Sequence, residues 1–284
     1  MPLKSYLLAS LYLLVGGGVF LFLGLRFVKA LRSVSRFAKV RECFFLVLAL
    51  SLTLAICSQF LPCFNLMHRA YCRGPSEEKW IALTFDDGPR EPTTSQVLDI
   101  LKAEGIHATF FLVGENIEKS PQSVLRMAEE GHVIGNHTLD HTPLVFLKPS
   151  KILDEIEGCE TKMPVPLSSV KLFRAPRGWK SPFLNSILRE KGYRLIGWTR
   201  GVWDTDDPDA ETLFRRMTEK ISPGEIILLH DGLNPRKEGE TVSLVQVLPR
   251  AIERYKSLGY RFVTLPEMLE KSRAEGRIAQ EGHL

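Results

Sequence analysis

From Lys79 onward the chain alternates short runs rich in β-branched and aromatic residues with stretches of helical periodicity, and this alternation restricts its fold more than any other feature. The candidate strands are Trp80 to Phe85, Ala108 to Val113, Val133 to Asn136, Lys171 to Phe173, Arg194 to Trp198, Glu225 to Leu229 and Arg261 to Leu265. Ser120-Pro121 and Gly131 bracket one intervening helix, and Ser181-Pro182 and Gly192 another. Thr93, Thr94 and Ser95 are expected to cap a third, which ends at Gly105. Repeated strand-helix units pair in parallel, so the expected class is α/β, a distorted (β/α) barrel of about seven parallel strands. An open doubly wound sheet is the alternative. It would be expected to carry a glycine-rich phosphate turn after its first strand, and Asp86-Asp87-Gly88-Pro89 is not one.

Ahead of this region lie two long uncharged runs, Ser5 to Leu25 and Cys43 to Leu61. As helices they reach roughly 30 Å, the thickness of a bilayer's hydrocarbon core, so two transmembrane helices are expected at about 5–25 and 43–61. A cleaved signal peptide is the competing reading of the first, but no small-residue cleavage site follows its Gly16-Gly17-Gly18. Arg26, Lys29, Arg32, Arg36, Lys39 and Arg41 fill the loop between the runs, which places that loop in the cytoplasm. The C-terminal domain then faces the periplasm or cell exterior, and the protein is a multi-pass component of the cytoplasmic membrane. The expected organisation is an anchor over 1–74, a catalytic domain over 75–270 and a polar tail over 271–284.

The net charge of +4 has to be divided in the same way. Residues 1–74 hold nine Lys/Arg and one acid, leaving 28 bases and 32 acids for the remainder. The folded body is therefore acidic, with no basic cluster of the kind that binds nucleic acid. Among the five cysteines, Cys43 and Cys57 fall in the second apolar run, and Cys159 reads as a buried thiol. Cys63 and Cys72 lie on the expected outer side, where a disulfide is chemically permitted but not required.

Sites in α/β barrels gather where strands end. The polar residues there are Asp86 and Asp87, His137 and His141, Arg174, Asp204, and His230 and Asp231. His137 and His141 are four apart, which on a helical turn puts both imidazoles on one face. With one carboxylate from another strand end they form a two-His, one-Asp set suited to Zn²⁺ or a similar divalent ion. Taken singly, the histidines read as turn residues and the Asp86-Asp87 pair as capping acids. Their meeting at the strand ends of one barrel gives them weight.

In these residues the sequence resembles the polysaccharide deacetylase family, the NodB-like carbohydrate esterases of family 4. Thr84-Phe85-Asp86-Asp87-Gly88-Pro89 and His137-Thr138-Leu139-Asp140-His141 match its first two motifs, and Arg174-Ala175-Pro176-Arg177-Gly178 and Ile227-Leu228-Leu229-His230-Asp231 are similar to two later ones. The resemblance implies a NodB-type barrel over about residues 79 to 270. It implies that Asp87, His137 and His141 hold the metal, most simply Zn²⁺ with Co²⁺ as an alternative, and that Asp86 acts as general base with Arg174 as its ion-pair partner. His230 would protonate the departing amine, held and charged by Asp204. The Arg177 N–H would face the oxyanion, Leu228 would line the acetyl pocket, and Thr138 would brace the histidine loop.

Two departures bear on substrate. Arg177 stands where the family commonly has Tyr or Phe, and Thr205 follows Asp204 where many members have Trp, so Trp203 or another ring is the candidate lid. Trp179 and Trp198 are further candidates for a sugar cleft, Trp198 being as easily core. His68, His107, His132 and His283 match no motif and are read as structural or solvated, and Asp231 is read as a hydrogen-bond acceptor in the loop after His230, with no catalytic role. The expected function is membrane-anchored, metal-dependent deacetylation of N-acetylated amino sugars in a cell-envelope or exported polysaccharide. The partners are then that glycan and the membrane, with no nucleic acid and an open oligomeric state. Deacetylation or deformylation of a lipid-linked amino sugar is a second enzymatic reading, and a catalytically silent glycan-binding membrane protein is a third, from another class.

Overall fold

A computed structural model describes residues 36–66, 68–206, 208–232 and 242–277. The strands are β1 (Trp80–Asp86), β2 (Thr109–Leu112), β3 (Val133–Asn136), β4 (Lys171–Phe173), β5 (Tyr193–Leu195), β6 (Arg200–Gly201), β7 (Glu225–His230) and β8 (Arg261–Phe262). Seven follow one path in the order β5-β4-β3-β2-β1-β7-β6, and β8 pairs with the first two residues of β1. Every ladder between these strands is parallel.

The connection between β5 and β6 forces the sheet to curl. Laid flat, these two strands would stand about 29 Å apart at the usual interstrand spacing. Ile196 to Thr199 alone join them, a span of at most about 18 Å. The sheet therefore bends into a curled half-barrel, and among the described residues no ladder joins β5 to β6. Residues just upstream of β1 lie across this seam. Tyr71 bridges Ile196 in parallel and Arg73 bridges Glu225 antiparallel, and the Gly74 N–H donates to the Gly224 carbonyl at 2.8 Å.

Strand alternation sorts the side chains. On β1, Ile81, Leu83 and Phe85 point outward into the main core, with Val97, Leu98 and Leu101 of α2 (Thr93–Glu104). Ala82 joins the barrel interior with Phe111, Leu172, Ile226 and Leu269. The same parity sends Thr84 and Asp86 inward on β1, Leu228 and His230 inward on β7, and Arg174 inward just past β4. Thus the pleat that fills the interior also aims the polar residues at each strand's C-terminal end into the mouth.

The remaining helices are α1 (Arg36–Phe60), α3 (Gly114–Lys119), α4 (Pro121–Glu129), α5 (Pro149–Lys162), α6 (Leu184–Glu190), α7 (Ala210–Thr218), α8 (Val242–Ser257) and α9 (Leu265–Ala274). α9 closes the base of the barrel with Leu265, Met268 and Leu269, and its N-terminus carries a Thr264–Glu267 capping box. Because it runs to Ala274, the segment expected to be a polar tail from residue 271 begins inside a helix.

Several sequence expectations change. Thr93 and Thr94 sit inside α2, buried, and neither caps it, whereas Gly105 ends the helix at φ 63 as expected. β6 had no signal of its own because Arg200 fastens it to Glu225 through a bidentate ion pair of 2.7 and 2.9 Å, not through an apolar run. Among the described residues one helix, α1, is long and apolar enough to cross a membrane, over Cys43–Phe60. The first predicted span, 5–25, lies outside the described residues, as do Arg26, Lys29 and Arg32. Near the expected boundary at residue 74, Ser58 and Gln59 are buried at the end of α1, and Tyr71 to Gly74 form part of the barrel wall.

Candidate active site

At the centre of the mouth is the ion pair of Asp86 and Arg174. Arg174 is fully buried; its Nη1 donates to Asp86 Oδ1 at 2.7 Å and Thr84 Oγ1 at 2.8 Å, and its Nη2 to the Gly197 carbonyl at 3.1 Å. The guanidinium lies 4.2 Å from the Phe111 ring and 5.6 Å from that of Trp198, so Trp198 serves as core against this cation. Burial works against the charge on Arg174, and Asp86 opposes that loss.

Beside this pair are Asp87, His137 and His141, whose ligand atoms all lie within 4.8 Å of one another. Asp87 Oδ1 is 3.3 Å from His137 Nε2 and 3.2 Å from His141 Nε2. His137 Nδ1 lies 2.8 Å from the Arg174 carbonyl, which can only accept, so Nδ1 carries the proton and Nε2 of the neutral ring presents a lone pair. Asp87 Oδ1 is buried without a hydrogen-bond donor. Lone pairs converging on one point fit a cation better than they fit one another, so the residues present suit a divalent metal. Burial would raise the Asp87 pKa, but positive charge facing it, carried by His141 and His137 when they are protonated, reverses this and holds it well below the usual carboxylate range.

The histidine loop does not work as its spacing suggested. Residues 137–141 form no helical turn; Thr138 and His141 adopt left-handed φ values of 72° and 65°. The loop is tied by side chains instead. Asn136 Oδ1 accepts from the Thr138 N–H at 2.9 Å, Thr138 Oγ1 accepts from the His141 N–H at 3.0 Å, and Glu155 Oε2 accepts from the Leu139 N–H at 3.0 Å. Both imidazoles reach Asp87 because these bonds fold the loop back.

Across the mouth, His230 Nδ1 lies 2.8 Å from Asp204 Oδ1, and the His230 N–H donates to Asp204 Oδ2 at 2.8 Å. Asp204 follows β6, not the fifth strand as expected, in a short 3-10 turn. Burial disfavours the charge on His230, but Asp204, with Asp87 and Asp86 further off, raises its pKa to about 10.

Of the six non-glycine residues with positive φ among those described, Asp87, Thr138, His141, Arg177 and Trp203 carry or border this constellation, and Lys220 is the exception. Backbone held in that region is costly and tends to mark functional sites. Arg177, at φ 59 in the turn after β4, is close enough to His141 to disfavour its charge. Leu228 is inward on β7, in register with Thr84, and exposed Trp203 directly precedes Asp204. Asp231 accepts a hydrogen bond, as expected: its buried Oδ2 accepts from Thr94 Oγ1 at 2.6 Å, and a Cβ added to Gly88 would overlap its carboxylate. Burial raises the Asp231 pKa to about 7. Asn136, Glu155 and Asp231 thus hold the site in shape. Glu155 had no local signal, coming from α5 sixteen residues beyond the loop it binds.

Of the other expectations, Cys63 and Cys72 form a disulfide and Cys159 is a buried thiol with its pKa raised by burial to about 12. His68 and His132 are buried structural residues, while Cys43 is exposed on α1.

A parallel half-barrel with two ion-paired acids and a two-His, one-Asp cluster at its mouth defines a class of hydrolase, and sequence comparison gives its family. The polysaccharide deacetylase model matches residues 73–196. A peptidoglycan-N-acetylglucosamine deacetylase of Bacillus cereus is 34% identical over 197 residues, covering 69% of this chain and 90% of the relative. The peptidoglycan-N-acetylmuramic acid deacetylase PdaA of Bacillus subtilis is 30% identical, over 70% of this chain and 75% of its own. The crystal structure of a peptidoglycan N-acetylglucosamine deacetylase with 34% identity superposes at a TM-score of 0.65, covering 69% of this chain and 91% of that one. The chain belongs to the polysaccharide deacetylase family and is a hydrolase of its carbohydrate esterase type.

Proposed function

We propose that the protein is a membrane-anchored, metal-dependent enzyme that hydrolyses the N-acetyl amide of amino sugars in a cell-envelope glycan. The observation that carries this reading is the placement of three metal-ligand candidates between an acid paired to a buried arginine and a histidine paired to a second acid. Asp87, His137 and His141 would hold the cation, Zn²⁺ by preference for this donor set and Co²⁺ as an alternative. When bound it supplies positive charge that acidifies water and polarises the amide carbonyl.

The chain's own residues account for the rest. Asp86, fixed by Arg174, takes a proton from water as the water oxygen bonds to the carbonyl carbon. The backbone N–H of Arg177 is the candidate donor to the developing oxyanion. His230 gives its proton to the amine nitrogen as the C–N bond breaks, releasing acetate and the free amino sugar. Its Nδ1 is committed to Asp204, so Nε2 is the nitrogen available to do so. Leu228 is assigned to the acetyl pocket and Trp203 to its exposed wall. A silent glycan-binding role is disfavoured because every acid, base and ligand position is filled.

The apolar span of α1 and the acidic character of the domain beyond it support anchoring in the cytoplasmic membrane with the mouth outside. The test is acetate release from chitotetraose and peptidoglycan fragments by the full-length protein in detergent, before and after chelation and zinc restoration. Release that is lost with chelator and regained with metal is expected; amine-free product under every condition overturns the reading.

A further inference from the structure

The chain leaves α1 on the mouth side of the barrel. The Lys180 N–H donates to the Gln59 carbonyl at 2.8 Å, and Lys180 Nζ donates to the Leu61 and Pro62 carbonyls at 2.8 and 3.0 Å. Lys180 is three residues past Arg177, on the loop that follows the C-terminal end of β4. A buried ammonium therefore donates to carbonyls just past the C-terminal end of the apolar helix. A Cβ at Gly178 would lie 2.7 Å from the Pro62 ring, so the backbone of the loop packs against that proline at the helix exit. His68 Nε2 donates to the Ser181 carbonyl at 2.9 Å, and the Cys63–Cys72 disulfide pins the stretch that follows. From there the chain descends the seam through Tyr71 and Arg73 to begin β1 at the base. The anchor is docked, not tethered.

This docking fixes the height of the mouth above the bilayer. Three residues of chain reach at most about 11 Å, so Arg177 stands within roughly that distance of Lys180 and hence of the end of α1. A headgroup layer is about 5 to 8 Å thick, which sets the mouth at the outer edge of that layer. Apolar side chains continue from the helix end along this face. Phe60 meets Trp179 at 5.2 Å between ring centroids, and Trp179 meets Phe146 at 6.3 Å and the Arg177 guanidinium at 5.5 Å. Phe146, in the segment after the histidine loop, is 72% exposed, and Phe183, two residues beyond Ser181, is 50% exposed. Exposed aromatic rings continuous with a membrane span fit the interfacial belt of a bilayer.

We propose that the barrel mouth is held against the surface of the bilayer that α1 spans, and that its substrate is an N-acyl amino sugar carried on a membrane lipid. This rests on the deacetylase reading above and narrows it. A sugar head on a lipid stands at the height of the mouth, whereas a polymer beyond the membrane has to bend down to it.

The test uses the full-length protein, loaded with zinc, in vesicles of phosphatidylethanolamine and phosphatidylglycerol. Acetate release is compared between N-acetylglucosamine on a dialkyl lipid in the same vesicles, chitotetraose and peptidoglycan fragments. At about 10 µM bulk substrate, confinement brings the glycolipid to an effective mM concentration, so its turnover should exceed that of chitotetraose on the order of 100-fold. Phe146→Ser and, separately, Phe183→Ser should reduce glycolipid turnover about fivefold while leaving chitotetraose turnover unchanged, since each removes apolar surface from the membrane contact alone. Equal turnover of the wild type on glycolipid and chitotetraose, a preference for peptidoglycan fragments, or equal loss on both substrates in the variants overturns the lipid-substrate proposal and leaves the deacetylase reading standing. Failure to release acetate from any substrate overturns both.

Discussion

Replacing Arg174 by Met tests whether the buried cation exists to serve Asp86. The side chain is fully buried, and Met fills much of its volume while removing three hydrogen bonds and the contact 4.2 Å from the Phe111 ring. What remains is the Asp86 carboxylate, also buried, without its countercharge. Breaking a buried pair from one side costs about 3–5 kcal/mol. For a domain of about 200 residues that corresponds to a fall of roughly 6–20 °C in Tm, readable by differential scanning fluorimetry. Acetate release should fall about 10²- to 10⁴-fold, the range expected when a general base is lost. The informative step is Asp86→Asn in the Arg174→Met background. If the cost is the stranded charge, the second substitution should restore about 2 kcal/mol of stability while leaving the enzyme inactive, a coupling that independent sites do not show. An Arg174→Met protein within about 1 kcal/mol of wild type, or an Asp86→Asn substitution whose destabilisation simply adds, would refute the reasoning.

Three further outcomes follow from the same geometry. Asp204→Asn removes the main charge that lifts the His230 pKa to about 10, so the alkaline limb of kcat should move toward neutral pH and kcat at pH 8 should drop more than about tenfold; an unchanged pH profile rejects the assignment. For stability the sign follows from a raised folded-state pKa: the His230–Asp204 contribution is complete below the ordinary histidine value of 6.5 and is lost as pH rises through about 10, so the variant's deficit should be greatest at acid and neutral pH. Asp87→Ala should lose bound metal in elemental analysis, along with the wild-type gain in Tm on adding zinc, a gain of about 2.7 kcal/mol at a hundredfold excess over Kd; retained metal would remove Asp87 from the ligand set. Gly88→Ala forces a methyl into the Asp231 carboxylate and should lower stability by about 1–3 kcal/mol, measured by urea denaturation, whereas a neutral result would mean that the turn has room to give.

Most of the strand ends were legible in the sequence because the same two properties mark a strand and aim its last residue. β1 and β7 are long enough for their apolar runs to stand out, and parity then delivers Asp86 and His230 to the interior without further information. β6 was not legible, since two residues held by the Arg200–Glu225 ion pair leave no pattern. That omission displaced Asp204 by one strand, although its pairing with His230 was expected correctly. The four-residue spacing of the histidines was read as a helical turn, but distant groups shape the loop instead, above all Glu155 from α5 and the left-handed backbone at Thr138. Local sequence names such ligands well and describes their loop poorly, because partners across the fold decide its path.

The least legible region was the junction between α1 and the barrel. Composition divides the chain near residue 74, since charge and hydropathy change there, but hydrogen bonding does not respect that division. Lys180 reaches back to the carbonyls after α1, and Tyr71 and Arg73 lie across the gap between β5 and β7, so the segment after α1 is a structural part of the half-barrel. A half-barrel whose edges are not paired exposes backbone donors and acceptors at the seam, and those groups need partners. Here the Tyr71 N–H donates to the Leu195 carbonyl and the Gly197 N–H to the Tyr71 carbonyl, each at 2.9 Å. Gly197 in turn accepts from Arg174 through its own carbonyl, so the segment that joins α1 to the barrel also supports the residue that holds Asp86. Tyr71 and Asp86 are thereby linked through two residues, Gly197 and Arg174, so the segment that follows α1 is continuous with the hydrogen bonds that position this carboxylate.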